Sequence, residues 1–180
     1  KDATITYKHN FPGANVINED ITLIDAETIL SKAGCKKGEI DVIIGGPPCQ
    51  GFSVSGKRMI DDPRNKLYKS FVSIVEQLQP KVFVMENVPG LIRLFGGKVK
   101  EEVLSDFSAI GYRVKVQQLS SDDYGVPQQR KRVFFVGLNK NVFDEDIEFS
   151  FPKPTHGVGL KNVITCKEAI SDLDFVPDDV

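Results

Sequence analysis

The chain has 180 residues, with 23 Lys and Arg against 25 Asp and Glu, 41% apolar residues, 12 Phe, 4 Tyr, no Trp and 3 Cys. This length suits one soluble globular domain whose core needs no covalent staples, and a net charge of −2 excludes a globally basic nucleic-acid binder, so any such contact must use charge gathered on one face. Cys35, Cys49 and Cys166 form no C-x-x-C pair, and His9 and His156 are the sole imidazoles, so neither a zinc site nor a disulfide framework is expected.

No stretch reaches the roughly 18 apolar residues of a membrane span, and the opening KDATITYKHN lacks the form of a signal peptide, which gives a cytoplasmic reading. The first residue is Lys, and the sequence reads as a piece of a longer chain.

Residues 14–18 (ANVIN) have strand composition. Asp25 is placed to cap a helix over 26–33, where Ile24, Ile29 and Leu30 are apolar and Gly34 is the stop. The run 41–44 (DVII) predicts a buried strand, ended by Gly45-Gly46-Pro47-Pro48, and a loop continues to about 64. From Lys66 to Gln79 the apolar positions Leu67, Phe71, Ile74, Val75 and Leu78 recur with helical period, and Pro80 ends the helix. A second buried strand, 81–85, runs into Glu86-Asn87-Val88-Pro89-Gly90. A helix over 98–110 closes at Gly111 and is followed by strands at 112–119 and 132–138 around a polar turn. Pro152 and Pro154 mark a linker, and Thr165 with Glu168 forms a capping box for a short helix near 166–172. Residues 1–155 thus read as the core, and 156–180 as a linker and short helix.

Strands alternating with amphipathic helices predict an α/β fold with a doubly wound, mostly parallel sheet, in which ligands bind beyond the carboxyl ends of the strands. Both GGPPCQGFS and ENVPG follow buried strands, which points Cys49 and Glu86 into one crevice. In a loop stiffened by two prolines and set among Gly45, Gly46 and Gly51, Cys49 is held where nearby cations can make it a nucleophile; the alternative is an inert buried thiol, which is the reading for Cys35 and Cys166. Glu86 is either a partly buried acid suited to proton transfer or an ordinary ion-paired strand end. Asn87 either orients that carboxylate or ties down the loop. A period of two sends Arg130 and Arg132 to one face as a site for a phosphate or the edge of a base; otherwise they belong to a solvated charge run. Lys57, Arg58, Arg64 and Lys66 can add phosphate contacts.

Together, GGPPCQGFS, ENV about 37 residues after Cys49, and YGVPQQRKR (Y-G-V-P-Q-x-R-x-R) resemble the C5-cytosine DNA methyltransferase family, in the family's motif order, from about Tyr7 to the end. The resemblance implies an adenosylmethionine-dependent (Rossmann-like) fold and methyl transfer from S-adenosyl-L-methionine to C5 of a flipped-out cytosine in double-stranded DNA. In this likeness Cys49 is the nucleophile that adds to C6, and Glu86 holds and protonates N3. Arg130 and Arg132 contact the base and the active-site loop, and the Pro48 carbonyl meets the cytosine amino group. Gln50, Ser53 and Ser55 lie in the loop that closes on DNA, with Asn87 beside the substrate. Asp20 and Ile21 match the adenine contact, and Gly46 and Pro48 line the cofactor side. The chemistry agrees, since C5 of cytosine becomes nucleophilic enough only after a thiolate has added next door, with the base out of the stack.

The family's Phe-x-Gly-x-Gly turn, its acidic ribose contact and its target-recognition region have no counterpart in these residues. The expectation is therefore the catalytic middle of a bacterial restriction-modification enzyme, completed by flanking segments or by a second chain, with no metal and no membrane. Two other readings stand beside it: the same chemistry on RNA, and a non-catalytic nucleic-acid-binding fragment.

Overall fold

The computed structural model describes residues 2–48 and 66–173. Four strands form one sheet: β1 (Val42–Gly45), β2 (Val82–Asn87), β3 (Tyr112–Ser120) and β4 (Lys131–Asn139), in the order β1-β2-β4-β3. β1 and β2 are parallel, with Ile43 opposite Phe83, whereas β4 lies antiparallel to both β2 and β3. Three strands therefore share one direction and β4 is reversed. The cause is the connection: only residues 121–130 join β3 to β4, too short for the crossover that a parallel neighbour needs.

Three helices, α2 (Ala26–Ala33), α3 (Lys66–Leu78) and α4 (Lys98–Ala109), supply the apolar cover. Phe71, Val72 and Val75 of α3 and Val99, Val103 and Phe107 of α4 bury against Phe83, Met85, Tyr112, Val133 and Phe135. The Phe83 and Phe107 rings stack at 4.0 Å, and α2 packs through Ala26 on Ile74 and Leu78. By alternation the other face carries Val84, Glu86, Arg132, Phe134 and Val136. Among the described residues no helix covers that second face, in place of the helices expected on both sides. Arg113 straps residues 143–147 beside it, donating to the carbonyls of Phe143, Asp144 and Ile147, and Ile44 stays 76% exposed.

Helix ends follow their caps. The Asp25 carboxylate accepts from the Thr28 N–H at 2.6 Å and Gly34, at φ 69°, closes α2. Thr165 and Glu168 form the capping box of α5 (Cys166–Ile170). Two segments depart from the sequence expectation. Residues 14–18 are irregular, because a strand exists only through a partner and no described strand lies beside them. Residues Asp2–Asn10 form a helix, α1, that buries no side chain and so carries no apolar stripe to read.

Candidate active site

At the carboxyl end of β2 the pleat sends consecutive residues to opposite faces. Glu86 goes to the helix-free face and Asn87 to the covered one. Across the β2–β4 ladder, Glu86 pairs with Phe134 and Asn87 with Val133, which sets Arg132 beside the carboxylate. Arg132 Nε lies 2.7 Å from Glu86 Oε1, with the two side chains 23% and 35% exposed. Glu86, Arg130, Arg132 and Phe134 line one cleft of about 270 Å³ together with Leu119, Ser120, Ser121 and Tyr124. Arg130 is exposed and, among the described residues, its guanidinium has no ion pair.

Asn87 is 5% exposed, and its amide is spent on the backbone: Nδ2 donates to the Pro47 carbonyl at 2.9 Å, and Oδ1 accepts from the Val88 N–H. Of its two possible uses, the structure places it at the loop. That contact draws the Gly-Gly-Pro-Pro turn onto the end of β2. A Cβ added at Gly46 would stand 3.4 Å from Glu86 Oε2, so the turn passes the carboxylate at van der Waals distance. On its far side, Gly46, Pro47 and Pro48 line a second cavity of about 290 Å³ with Ile21, Ile43, Ile44, Leu67 and Phe71.

Ile21, Gly46 and Pro48 therefore meet at one apolar cavity, while Asp20 is not part of its lining. The Asp20 carboxylate accepts the Thr22 N–H at 2.9 Å and the Thr22 hydroxyl at 2.8 Å, and these bonds hold its pKa below the usual aspartate value. It shapes the turn that presents Ile21. Cys49, Gln50, Ser53 and Ser55, with Lys57, Arg58 and Arg64, lie outside the described residues.

The turn between β3 and β4 is held from two sides. Within it, Ser121 bonds to Gln128 and Arg130; from outside, residues 152–166 lie against it. Tyr124 Oη donates to the Pro152 carbonyl at 2.9 Å, the N–H groups of Thr155 and His156 both donate to Asp123 O, and Cys166 Sγ donates to Pro127 O. Gly125, at φ 83°, lets the His156 ring approach: an added Cβ would come within 2.6 Å of it. Sequence reasoning missed Phe134, Leu119 and Ser121 as cleft residues. Phe134 was findable, since it shares the parity of Arg132, but the use of Ser121 depends on the loop closing.

An α/β sheet that gathers its polar side chains and two cavities at the carboxyl ends of parallel strands has the arrangement of Rossmann-like methyltransferases. Solved structures agree. A protein assigned as a DNA modification methyltransferase encoded within a prophage (E. coli) superposes with a TM-score of 0.75 at 35% identity, over 99% of this chain and 47% of that one. A Spodoptera frugiperda DNMT2 variant gives 0.62 at 26% identity, over 99% and 50%. The sequence matches the C-5 cytosine-specific DNA methylase family over residues 1–176, and the chain belongs to that family. Among curated relatives, it is 44% identical to the type II methyltransferase M1.HphI of Haemophilus parahaemolyticus over 84% of this chain and 40% of that protein. It is 41% identical to M.BspRI of Lysinibacillus sphaericus over 98% of this chain and 39% of that protein. The chain thus spans about two fifths of the length of these relatives.

Proposed function

We propose that this chain carries the catalytic centre of a bacterial DNA cytosine-5 methyltransferase of the type II modification class, acting on a cytosine flipped out of double-stranded DNA. The observation that carries the reading is the Glu86–Arg132 pair at 2.7 Å, set in a cleft with Arg130 and beside Gly46, which also lines an apolar cavity. The cleft lies just below the size range of pockets for drug-sized ligands and suits a single base. Glu86 Oε1 stays anchored by Arg132, leaving Oε2, beside Gly46, for N3 of the ring. Asn87 fixes the turn so that the Pro48 carbonyl can accept from the cytosine amino group, and Cys49 is the next residue of the chain.

In this mechanism the Cys49 thiolate adds to C6 while Glu86 supplies a proton to N3, and the ring becomes an enamine whose C5 is the nucleophile. S-adenosylmethionine, when bound, supplies an electrophilic methyl group. The apolar cavity of Ile21, Ile43, Gly46 and Pro48 would hold its adenine side, and Gly46 borders both that cavity and Glu86 Oε2. With the methyl group on C5 and the donor sulfur departing as a neutral thioether, N3 returns its proton to Glu86, and loss of the C5 proton to a base expels the Cys49 thiolate and restores the aromatic ring. Arg130 and Arg132 supply the positive field that favours the thiolate and hold the base edge. The relatives at 41–44% identity are all named type II methyltransferases, which favours DNA over RNA.

The test is covalent trapping. Full-length protein, S-adenosylmethionine and a duplex carrying 5-fluorocytosine, in which C5 cannot lose a proton, should yield a stable adduct on Cys49 by mass spectrometry. Cys49→Ser should give none while still binding DNA. Absence of an adduct from folded full-length protein on duplexes covering its recognition site overturns the reading.

A further inference from the structure

We propose that Ser121 is the positioning residue that sets Arg130 on the Glu86 cleft, an assignment that rests on the methyltransferase reading above. The β3–β4 ladder ends at the pair Ser120 and Lys131, so the ladder itself does not fix Arg130. Ser121 continues the closure with all of its polar groups. Its N–H donates to the Arg130 carbonyl at 3.0 Å, and its own carbonyl accepts the Val126 N–H at 3.2 Å. Its hydroxyl donates to the Gln128 carbonyl and accepts the Arg130 N–H at 3.1 Å. The Arg130 N–H also reaches the Gln128 carbonyl at 3.0 Å, so hydroxyl, carbonyl and amide form a closed three-way contact.

The geometry matters because the two arginines are held differently. Arg132 is fixed through its head group by Glu86. Arg130 is exposed and, among the described residues, without an ion pair, so its direction is set from its backbone. That backbone runs into β4 on one side; on the other the Ser121 N–H bonds its carbonyl, and the Ser121 hydroxyl shares its N–H with the Gln128 carbonyl. Ser121 also lines the cleft into which Arg130 projects. The fold of the turn has other supports: Ser120 Oγ donates to Asp122, and residues 152–156 hold Asp123 and Tyr124 from outside. Removing the Ser121 hydroxyl should therefore leave the turn standing and loosen the segment from Gln128 to Arg130. A group that touches the base in the transition state loses rate when misplaced by a fraction of an ångström.

The experiment compares Ser121→Ala, Ser121→Thr, Arg130→Ala and the Ser121→Ala/Arg130→Ala double variant in the full-length protein, reading kcat and KM for methyl transfer to duplex DNA. Ser121→Ala should lose roughly tenfold in kcat, the scale of one hydrogen-bond arrangement, with KM within about twofold. Ser121→Thr, which keeps the hydroxyl, should recover most of that loss, and Ser121→Ala should cost nothing further in the Arg130→Ala background. Wild-type kcat in Ser121→Ala beside an impaired Arg130→Ala overturns the assignment, as does a double variant whose losses multiply. If Ser121→Ala does not fold, Ser121→Cys, of nearly equal size, takes its place in the same comparison. A folded wild-type protein that transfers no methyl group overturns the function reading and this inference with it, whereas active wild type with an indifferent Ser121 overturns only the latter.

Discussion

Glu86 and Gly125 show how much one side chain, or the lack of one, decides. Glu86 is about a third exposed and its partner Arg132 about a quarter, so their solvent-screened ion pair adds little to stability, about 0–1 kcal/mol. Its value is placement. Glu86→Gln should leave the thermal midpoint nearly unchanged and slow single-turnover methyl transfer by about 10²–10⁴-fold, the usual scale for losing a positioned proton donor. A large fall in the midpoint with matching loss of secondary structure would instead make Glu86 a structural strut. Gly125 lies in the turn between β3 and β4. Its φ of 83° and the His156 ring both resist a Cβ, so Gly125→Ala should cost about 1–3 kcal/mol in denaturant unfolding. Trimming the ring in His156→Ala/Gly125→Ala should return the steric share but not the backbone share, which a double-mutant cycle separates.

At the scale of elements, Asn87 ties the turn after β1 to the end of β2. Asn87→Ala would remove one hydrogen bond from the buried Pro47 carbonyl and one from the Val88 N–H, at a cost of about 1–3 kcal/mol. The same change should lower methyl transfer beyond the loss of folded protein, measured by active-site titration with the 5-fluorocytosine duplex. Elements with their own signals could be read from sequence. α2, α3 and α4 carry apolar stripes and local caps, so the expected ranges 26–33, Lys66–Gln79 and 98–110 end within one residue of the observed helices. α1 has no stripe, because none of its side chains is buried; its only signal was Asp2 in the first turn with Lys8 and His9 in the last. The irregularity of 14–18 and the reversal of β4 are long-range facts that no local pattern carries. In the site, the parity of Arg130 and Arg132 was legible, but the choice of Arg132 as the ion-pair partner of Glu86 follows from the β2–β4 register.

Over the whole molecule, pH dependence follows from which groups the fold perturbs. Asp20 and Asp25 have pKa values held below the ordinary 3.8, chiefly by the backbone N–H groups of Thr22 and Thr28, and Asp122 by the Ser120 hydroxyl. Glu168 lies below the ordinary 4.5 through the Thr165 N–H, and Glu148 through its bond from Lys115. A carboxyl lowered in the native state contributes stability above its unfolded pKa and loses it as pH falls through the native one. The acid limb should therefore begin near the ordinary values of 4.5 and 3.8 and deepen below them. Four of the five carboxylates are held by hydrogen bonds from neutral groups, so added salt should barely move that limb. At the other end, burial pushes the Tyr112 phenol up to about 12, against a smaller opposing pull from Asn139. A raised pKa works in the reverse sense: the contribution is whole below the ordinary 10.0 and disappears as pH climbs through about 12. The hydroxyl donates to the Pro80 carbonyl at 2.7 Å, a bond the phenolate cannot make. Denaturant midpoints measured from pH 9 to 12 (about the range set by this shift) should thus fall in the wild type. Tyr112→Phe should start lower, having taken the nearer of two donors from the Pro80 carbonyl and left it the Asn139 amide at 3.3 Å, and fall less steeply. Equal alkaline slopes in the two proteins would assign the limb to lysines instead of to the phenol buried under the sheet.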